Sequence, residues 1–451
     1  MKRNKYEIDM CNGSIMDKLI SFSLPLMISG MLQLMFNAVD IVVVGRFTGS
    51  SALAAVGSTT ALIAVFTNLF IGISLGANVL AARFYATDQQ KEMSETVHTS
   101  ILFALLSGLV MAVVGLLMAK PALEIMGTPD NVIDQSVLYM RIYFMGMPFF
   151  MIYNYGAAIL RAIGDTKRPL IFLIVAGVTN AVLNLFLVIV FHLGVAGVAI
   201  ATIISQFISC VLVIRCLYKS EGSYQFRFSK LQIKSVYLKQ IFQVGVPAGI
   251  QSTVINISNA LLQSSVNSFG SVAMAGYTAA NNIFGFLYVS VNSVTQACMS
   301  FTSQNYGVRK LKRMDRVLVD CMILTVIVGV VLGGGAYLFG PELLHIYTEQ
   351  NNVIRCGVEI LSYTTVTYFL CGLMDLFPGA LRGMGYSTVP MLLSIIGTVG
   401  VRILWIFVLF PRHRTLGFLF ISYPVSWLAT IVMQVICFYF VRKKVHKKVC
   451  L

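Results

Sequence analysis

Asp40 stands in the otherwise apolar run FNAVDIVVVG, residues 36–45 of the 451-residue chain. A charge in hydrocarbon costs at least about 2.5–3.5 kcal/mol on insertion scales, so such a group is a functional candidate unless a partner explains it. Counting about 1.5 Å per helical residue from the nearest apolar-run end puts Asp40 about 9 Å deep and Asn184 and Thr202 about 12 Å deep, close to one level. Asn180 lies one turn from Asn184 on the same helix face, and Gln33 lies two turns below Asp40. One carboxylate among neutral oxygens can take up and release a proton. It can also hold a hard cation such as Na+, by the preference that sends such ions to oxygen ligands. The plainer reading is that Asp40 only caps or bonds a neighbouring helix and that Asn180 and Asn184 tie helices together.

Other buried charges read as structural. Glu359 and Arg402, on adjacent predicted helices and at similar depth, are expected to form an ion pair. Asp375 stands two turns before Arg382 on one face, which predicts pairing between them. Arg141 is near enough to a span end to snorkel. Pro25 and Pro247 fall inside apolar helices and are expected to kink them as hinges.

These residues must be positioned by membrane helices. The chain is 57% hydrophobic and 11% charged, with a mean hydropathy of +0.81, outside the range of soluble globular proteins. Apolar runs of roughly 20–28 residues fit helices and exclude the short alternating strands of a membrane barrel. They give an all-α integral membrane fold of about twelve spans, from 19–45 and 52–81 through 135–160 and 354–380 to 416–441. The basic N-terminus has no small-residue cleavage site and is expected to be retained. The nine Cys are scattered without a CxxC pair, which argues against a disulfide framework or a zinc site. The net charge of +15 comes from Lys and Arg between spans, so it points to orientation, with both termini cytoplasmic, rather than to nucleic acid. No HExxH, GxSxG or Walker A motif is present, so an enzyme is not expected.

The second half echoes the first at an offset of about 221 residues. Pro25 matches Pro247, Tyr85 and Lys91 match Tyr306 and Lys312, and RAIGDTKRP (161–169) matches RGMGYSTVP (382–390). Six spans separate equivalent points, so the copies share one orientation, and a transported substrate is expected between them. The predicted organisation is a six-helix lobe over 1–217, a cytoplasmic linker over 218–239, a second lobe over 240–441 and a basic tail over 442–451. Asp40, Asn180 and Asn184 correspond to Leu262, Val401 and Trp405, so the polar set is one-sided. Asp375 corresponds to Asn154, a level expected to line an inward-facing cavity.

The segments LPLMISGMLQLMFNAVDIVVVGRFTGSSALAAVG, ILRAIGDTKRPL, GVAGVAIATIISQ and GVPAGIQ together resemble the MATE family of multidrug and toxic compound extrusion transporters over essentially the whole chain. The resemblance implies a V-shaped pair of lobes, alternating access, and export of cationic or amphipathic organic compounds across the plasma membrane against H+ or Na+, with no other cofactor. It implies that Asp40 is the coupling aspartate of the branches with a first-lobe site, which are DinF-like. The Asn and Asp that follow it in that pattern fall at Asn180 and Asn184, so the second acid is missing. One negative charge fewer should weaken cation binding more than protonation. The seventh-helix glutamate of the NorM-like branch has no match in QSTVINIS (251–258), where Asn256 is the nearby polar residue. Gln33, Asn37, Asn154, Asn256 and Asp375 are the candidates for a substrate cavity in a monomer. The alternative is a flippase for lipid-linked saccharides on the same scaffold, a role that calls for a cationic cavity.

Overall fold

The computed structural model describes residues 5–449. Cys450, the end of the basic tail and the first residues of the basic N-terminus lie outside the described residues. The first half comprises α1 (Met16–Phe47), α2 (Ser50–Ala86), α3 (Gln90–Ile125), α4 (Asp130–Met145), α5 (Met147–Ala162), α6 (Lys167–Leu185) and α7 (Gly194–Lys219). The second comprises α8 (Ser235–Asn267), α9 (Ser271–Gly307), α10 (Leu311–Leu338), α11 (Gly340–His345), α12 (Asn351–Thr364), α13 (Tyr368–Gly383), α14 (Thr388–Ser394), α15 (Val401–Leu404) and α16 (Leu416–Val449). No disulfide forms among the described residues.

Eight helical segments are long and apolar enough to cross a membrane, and ten are if each bent pair counts as one span. The rods expected over 135–160 and 354–380 are in fact broken, by 47° between α4 and α5 and by 49° between α12 and α13. Pro148 in the first turn of α5 has no N–H with which to continue the ladder of α4. Helices α8 and α9 have the length, at 33 and 37 residues, but carry more polar side chains than the other spans. The repeat is visible in the backbone itself. Positive φ recurs at Gly49 and Gly270 (both 95°), at Asp88 and Arg309 (53° and 58°), and at Gly164 and Gly385 (93° and 92°).

The chain forms two compact units, one made of residues up to Ile8 with Ile28–Val246 and the other of Asp9–Met27 with Pro247–Leu451. The boundaries differ from 1–217 and 240–441 because each half lends the start of its first helix to the other unit. The start of α8 buries Ile241 and Val244 in the first unit. There Gly76 of α2 and Gly245 of α8 let two backbones touch: a Cβ on Gly76 would stand 2.1 Å from the Ile241 carbonyl oxygen, and one on Gly245 2.5 Å from the Ile73 Cα. The start of α1 buries Leu19, Phe22 and Leu26 in the second unit, where Phe22 meets the Phe301 ring edge-on at 5.7 Å. Both exchanges end beside Pro25 and Pro247, each inside its helix. A proline cannot donate to the carbonyl one turn back, so both helices have a weakened ladder where they change unit.

The segment expected as a plain linker is packed onto the first unit. Phe226 is 1% exposed and stacks on the His98 ring at 5.5 Å. The His98 Nδ1–H donates to the Ser94 carbonyl at 2.6 Å, which leaves Nε2 to accept from the Arg227 backbone N–H at 3.0 Å. Tyr85 and Tyr224 both donate to the Glu7 carboxylate, at 2.7 and 2.6 Å. Burial and then Glu7 push the Tyr224 phenol well above its ordinary range, so it remains a donor. Phe226→Ala is expected to cost this strap about 3–5 kcal/mol, the usual loss for a buried Phe. Timed trypsin digestion should then show cleavage at Arg227 and Lys230 accelerated by roughly a hundredfold or more, while the helices stay protected.

Candidate functional site

In the first unit the residues singled out by depth come together. The Asn184 Nδ2 of α6 donates to Asp40 Oδ1 of α1 and to Asn180 Oδ1 at 3.2 Å. Asn180 in turn donates to Thr202 Oγ1 of α7 at 3.4 Å, and the Thr202 hydroxyl donates to the Val198 carbonyl at 3.0 Å. Asn184 and Asn180 are 0% and 5% exposed. The geometry follows from the helical repeat, since residues four apart on α6 stack on one face. A π-helical turn at Phe186–Val190 follows directly, a feature that widens helices at functional positions.

Two tyrosines belong here that depth counting missed. Tyr139 and Tyr143 of α4 stack at 6.2 Å between ring centroids, and both lie within electrostatic reach of Asp40. Their only sequence signal is four-residue spacing in YMRIY, which places two hydroxyls on one face.

The contacts around Asp40 define which atoms an ion would meet. Asn184 turns its amide N–H, not its carbonyl, towards Asp40, so a cation at that oxygen would face a positive dipole. Asn184 Oδ1 is buried with no hydrogen-bond partner among the described residues. That unused oxygen and the Asp40 carboxylate are the groups a cation such as Na+ would take, and Asp40 Oδ2 is the atom a proton would take.

The other candidates are scattered. Gln33 and Asn37 are exposed on α1 and Asn256 is exposed on α8, each without a side-chain hydrogen bond among the described residues. Asn154 is half-buried and donates to the Phe150 carbonyl of its own helix at 2.8 Å.

Two expected ion pairs do not form. Asp375 lies near the Tyr288 hydroxyl, while Arg382 donates to Gln251 Oε1 at 2.6 Å, and the two charges act on each other only over a distance. Glu359 is exposed on α12, whereas Arg402 is 2% exposed and bonded to Asn259 Oδ1 at 2.8 Å and Ser426 Oγ at 3.2 Å. Similar depth did not make them neighbours, because they face different sides of their helices. Arg141 is exposed near its helix end and donates to the Leu116 carbonyl at 3.2 Å.

Repeated helical halves with polar side chains inside apolar spans make this a multi-pass membrane carrier rather than an enzyme. The MatE family pattern matches twice, over residues 25–186 and 247–408, and the chain belongs to that family of transporters. It is 30% identical to the Bacillus subtilis protein named "Probable multidrug resistance protein YoeA", over 94% of this chain and 93% of that one. It is 25% identical to the Thermotoga maritima protein named "Probable multidrug resistance protein NorM", over 90% and 88%. A solved outward-facing multidrug resistance MATE transporter superposes with a TM-score of 0.91 at 20% identity, covering 99% of this chain and 100% of that one.

Proposed function

We propose that this chain exports amphipathic or cationic organic compounds across the plasma membrane in exchange for protons, with Asp40 as the proton-carrying group. The observation that carries the reading is the Asn184–Asp40 bond, which ties α1 to α6 through a carboxylate that the second unit replaces with Leu262. An ionised Asp40 holds the amide donor strongly, because charge-assisted hydrogen bonds are about twice as strong as neutral ones. A proton taken up from outside neutralises Asp40, loosens the clasp and lets the α1 segment beyond Pro25 change position. Substrate and proton thus favour different states, the condition for alternating exchange. The relatives named for multidrug resistance support organic substrates, and the Lys and Arg distribution supports cytoplasmic termini.

The test uses the full chain in proteoliposomes with a fluorescent cationic dye, imposing a pH gradient and a sodium gradient separately. The expected result is dye movement driven by the pH gradient alone. Movement driven only by sodium would reassign the coupling ion, and no movement under either gradient would overturn the reading. Restoring a second acid with Asn184→Asp supplies two carboxylates for one cation. That variant should gain a sodium-driven component at least several-fold above wild type in the same assay.

A further inference from the structure

The second unit has its own buried charge at the place equivalent to Asp40's pocket, with the opposite sign. Arg402 of α15 follows Val401, the counterpart of Asn180, and its partners come from the equivalent helices: Asn259 of α8 matches Asn37 and Tyr423 of α16 matches Thr202. π-helical turns at Ile395–Gly400 and Trp405–Leu409 flank it, as one follows Asn184 in the first unit.

Every group that satisfies this cation is neutral. Nη1 donates to Asn259 Oδ1 at 2.8 Å and Nε to Ser426 Oγ at 3.2 Å, while the guanidinium carbon lies 4.2 Å over the Tyr423 ring. Among the described residues no carboxylate lies within 4 Å, and Nη2 has no hydrogen-bond partner. With Arg402 only 2% exposed, its guanidinium lies buried among these neutral groups. A buried charge with no ionic partner is unfavourable, and a counter-ion relieves it.

We infer that Arg402, with Asn259 and Ser426 fixing its fork, forms an anion-binding site in the second unit, taking a compact monoanion such as chloride or a carboxylate group at Nη2. The aromatic wall bounds its size: Tyr423 meets Trp427 edge-on at 5.5 Å. The inference does not depend on Asp40 or on the coupling ion.

The test titrates purified full-length protein with chloride in a sulfate background, reading excess chloride NMR line broadening. Emission of Trp405 and Trp427, the chain's two tryptophans, reports that the fold around the site is intact. Wild type should broaden the chloride line saturably, and Arg402→Gln should weaken binding by at least roughly thirtyfold, as expected for losing one partner of a buried charged contact. Should Arg402→Gln fail to fold, Asn259→Asp replaces a neutral acceptor with a carboxylate of similar shape. That built-in anion should abolish chloride binding in a folded protein. Acetate added to wild type distinguishes the sources: displacement of chloride marks a site that also takes carboxylates, and silence marks a halide site. The proposal is overturned if wild type shows no saturable broadening, or if folded Arg402→Gln or Asn259→Asp binds chloride like wild type.

Discussion

Asp40→Asn protein is expected to reach the membrane folded and to move dye no faster than empty liposomes, whichever gradient is imposed. The substitution is nearly isosteric, and the new side-chain carbonyl can still accept from Asn184 Nδ2, so the tie between α1 and α6 survives. Only the charge is removed. Because a membrane-buried charge costs at least about 2.5–3.5 kcal/mol on insertion scales, the thermal midpoint should hold or rise. If Asp40 were helix glue and nothing more, the preserved bond would preserve transport, and wild-type dye efflux from a folded variant would sink the proton-carrier reading. Efflux and thermal midpoint, measured on one preparation, separate the two accounts.

The largest effect on folding is expected where α2 and α8 touch. The 2.1 Å separation between a Cβ on Gly76 and the Ile241 carbonyl oxygen is set against backbone, not against the end of a flexible chain. Gly76→Val therefore has to push the start of α8 off the first unit and uncover Ile241. Overpacking a close-packed site typically costs about 1–3 kcal/mol, and backbone collision lies at the upper end or beyond. The expected outcome is loss of the monodisperse peak in detergent size-exclusion chromatography, with a clearly lowered thermal midpoint for the milder Gly76→Ala. Gly245→Ala at the same crossing should add little to Gly76→Ala, since one separation relieves both contacts. Gly334→Ala is the control: nothing lies within 4 Å of its Cβ position, so it should stabilise α10 by roughly 0.5–1 kcal/mol. A Gly76→Val protein as stable as wild type would show that the crossing is not tightly packed.

Much of this was readable from residue order because membrane helices impose two regular rules. A constant rise fixes how deep each residue sits, and a constant turn fixes which residues share a face. Those rules brought Asp40, Asn184 and Thr202 close to one level, with Asn180 one turn away on the face of Asn184, and all four enter one chain of hydrogen bonds. The duplication was equally open, since Pro25 with Pro247 and Gly164 with Gly385 repeat at nearly one spacing. The same rules misled at Glu359 and Arg402. Equal depth is necessary for a contact but says nothing about rotation, and one side chain points outwards while the other turns to Asn259 and Tyr423.

The amino-acid sequence by itself determined that this is a duplicated helical membrane protein with one acid in a polar level of its first half, because hydropathy, rise and repeat are properties of residue order. The tertiary structure alone decided which helices face each other. It brought Tyr139 and Tyr143 to Asp40, gave Arg402 neutral partners, docked the strap at Phe226 and passed the starts of α1 and α8 into opposite units. Those choices depend on packing between segments far apart in the chain, where a glycine such as Gly76 or Gly245 permits an approach that no local pattern announces.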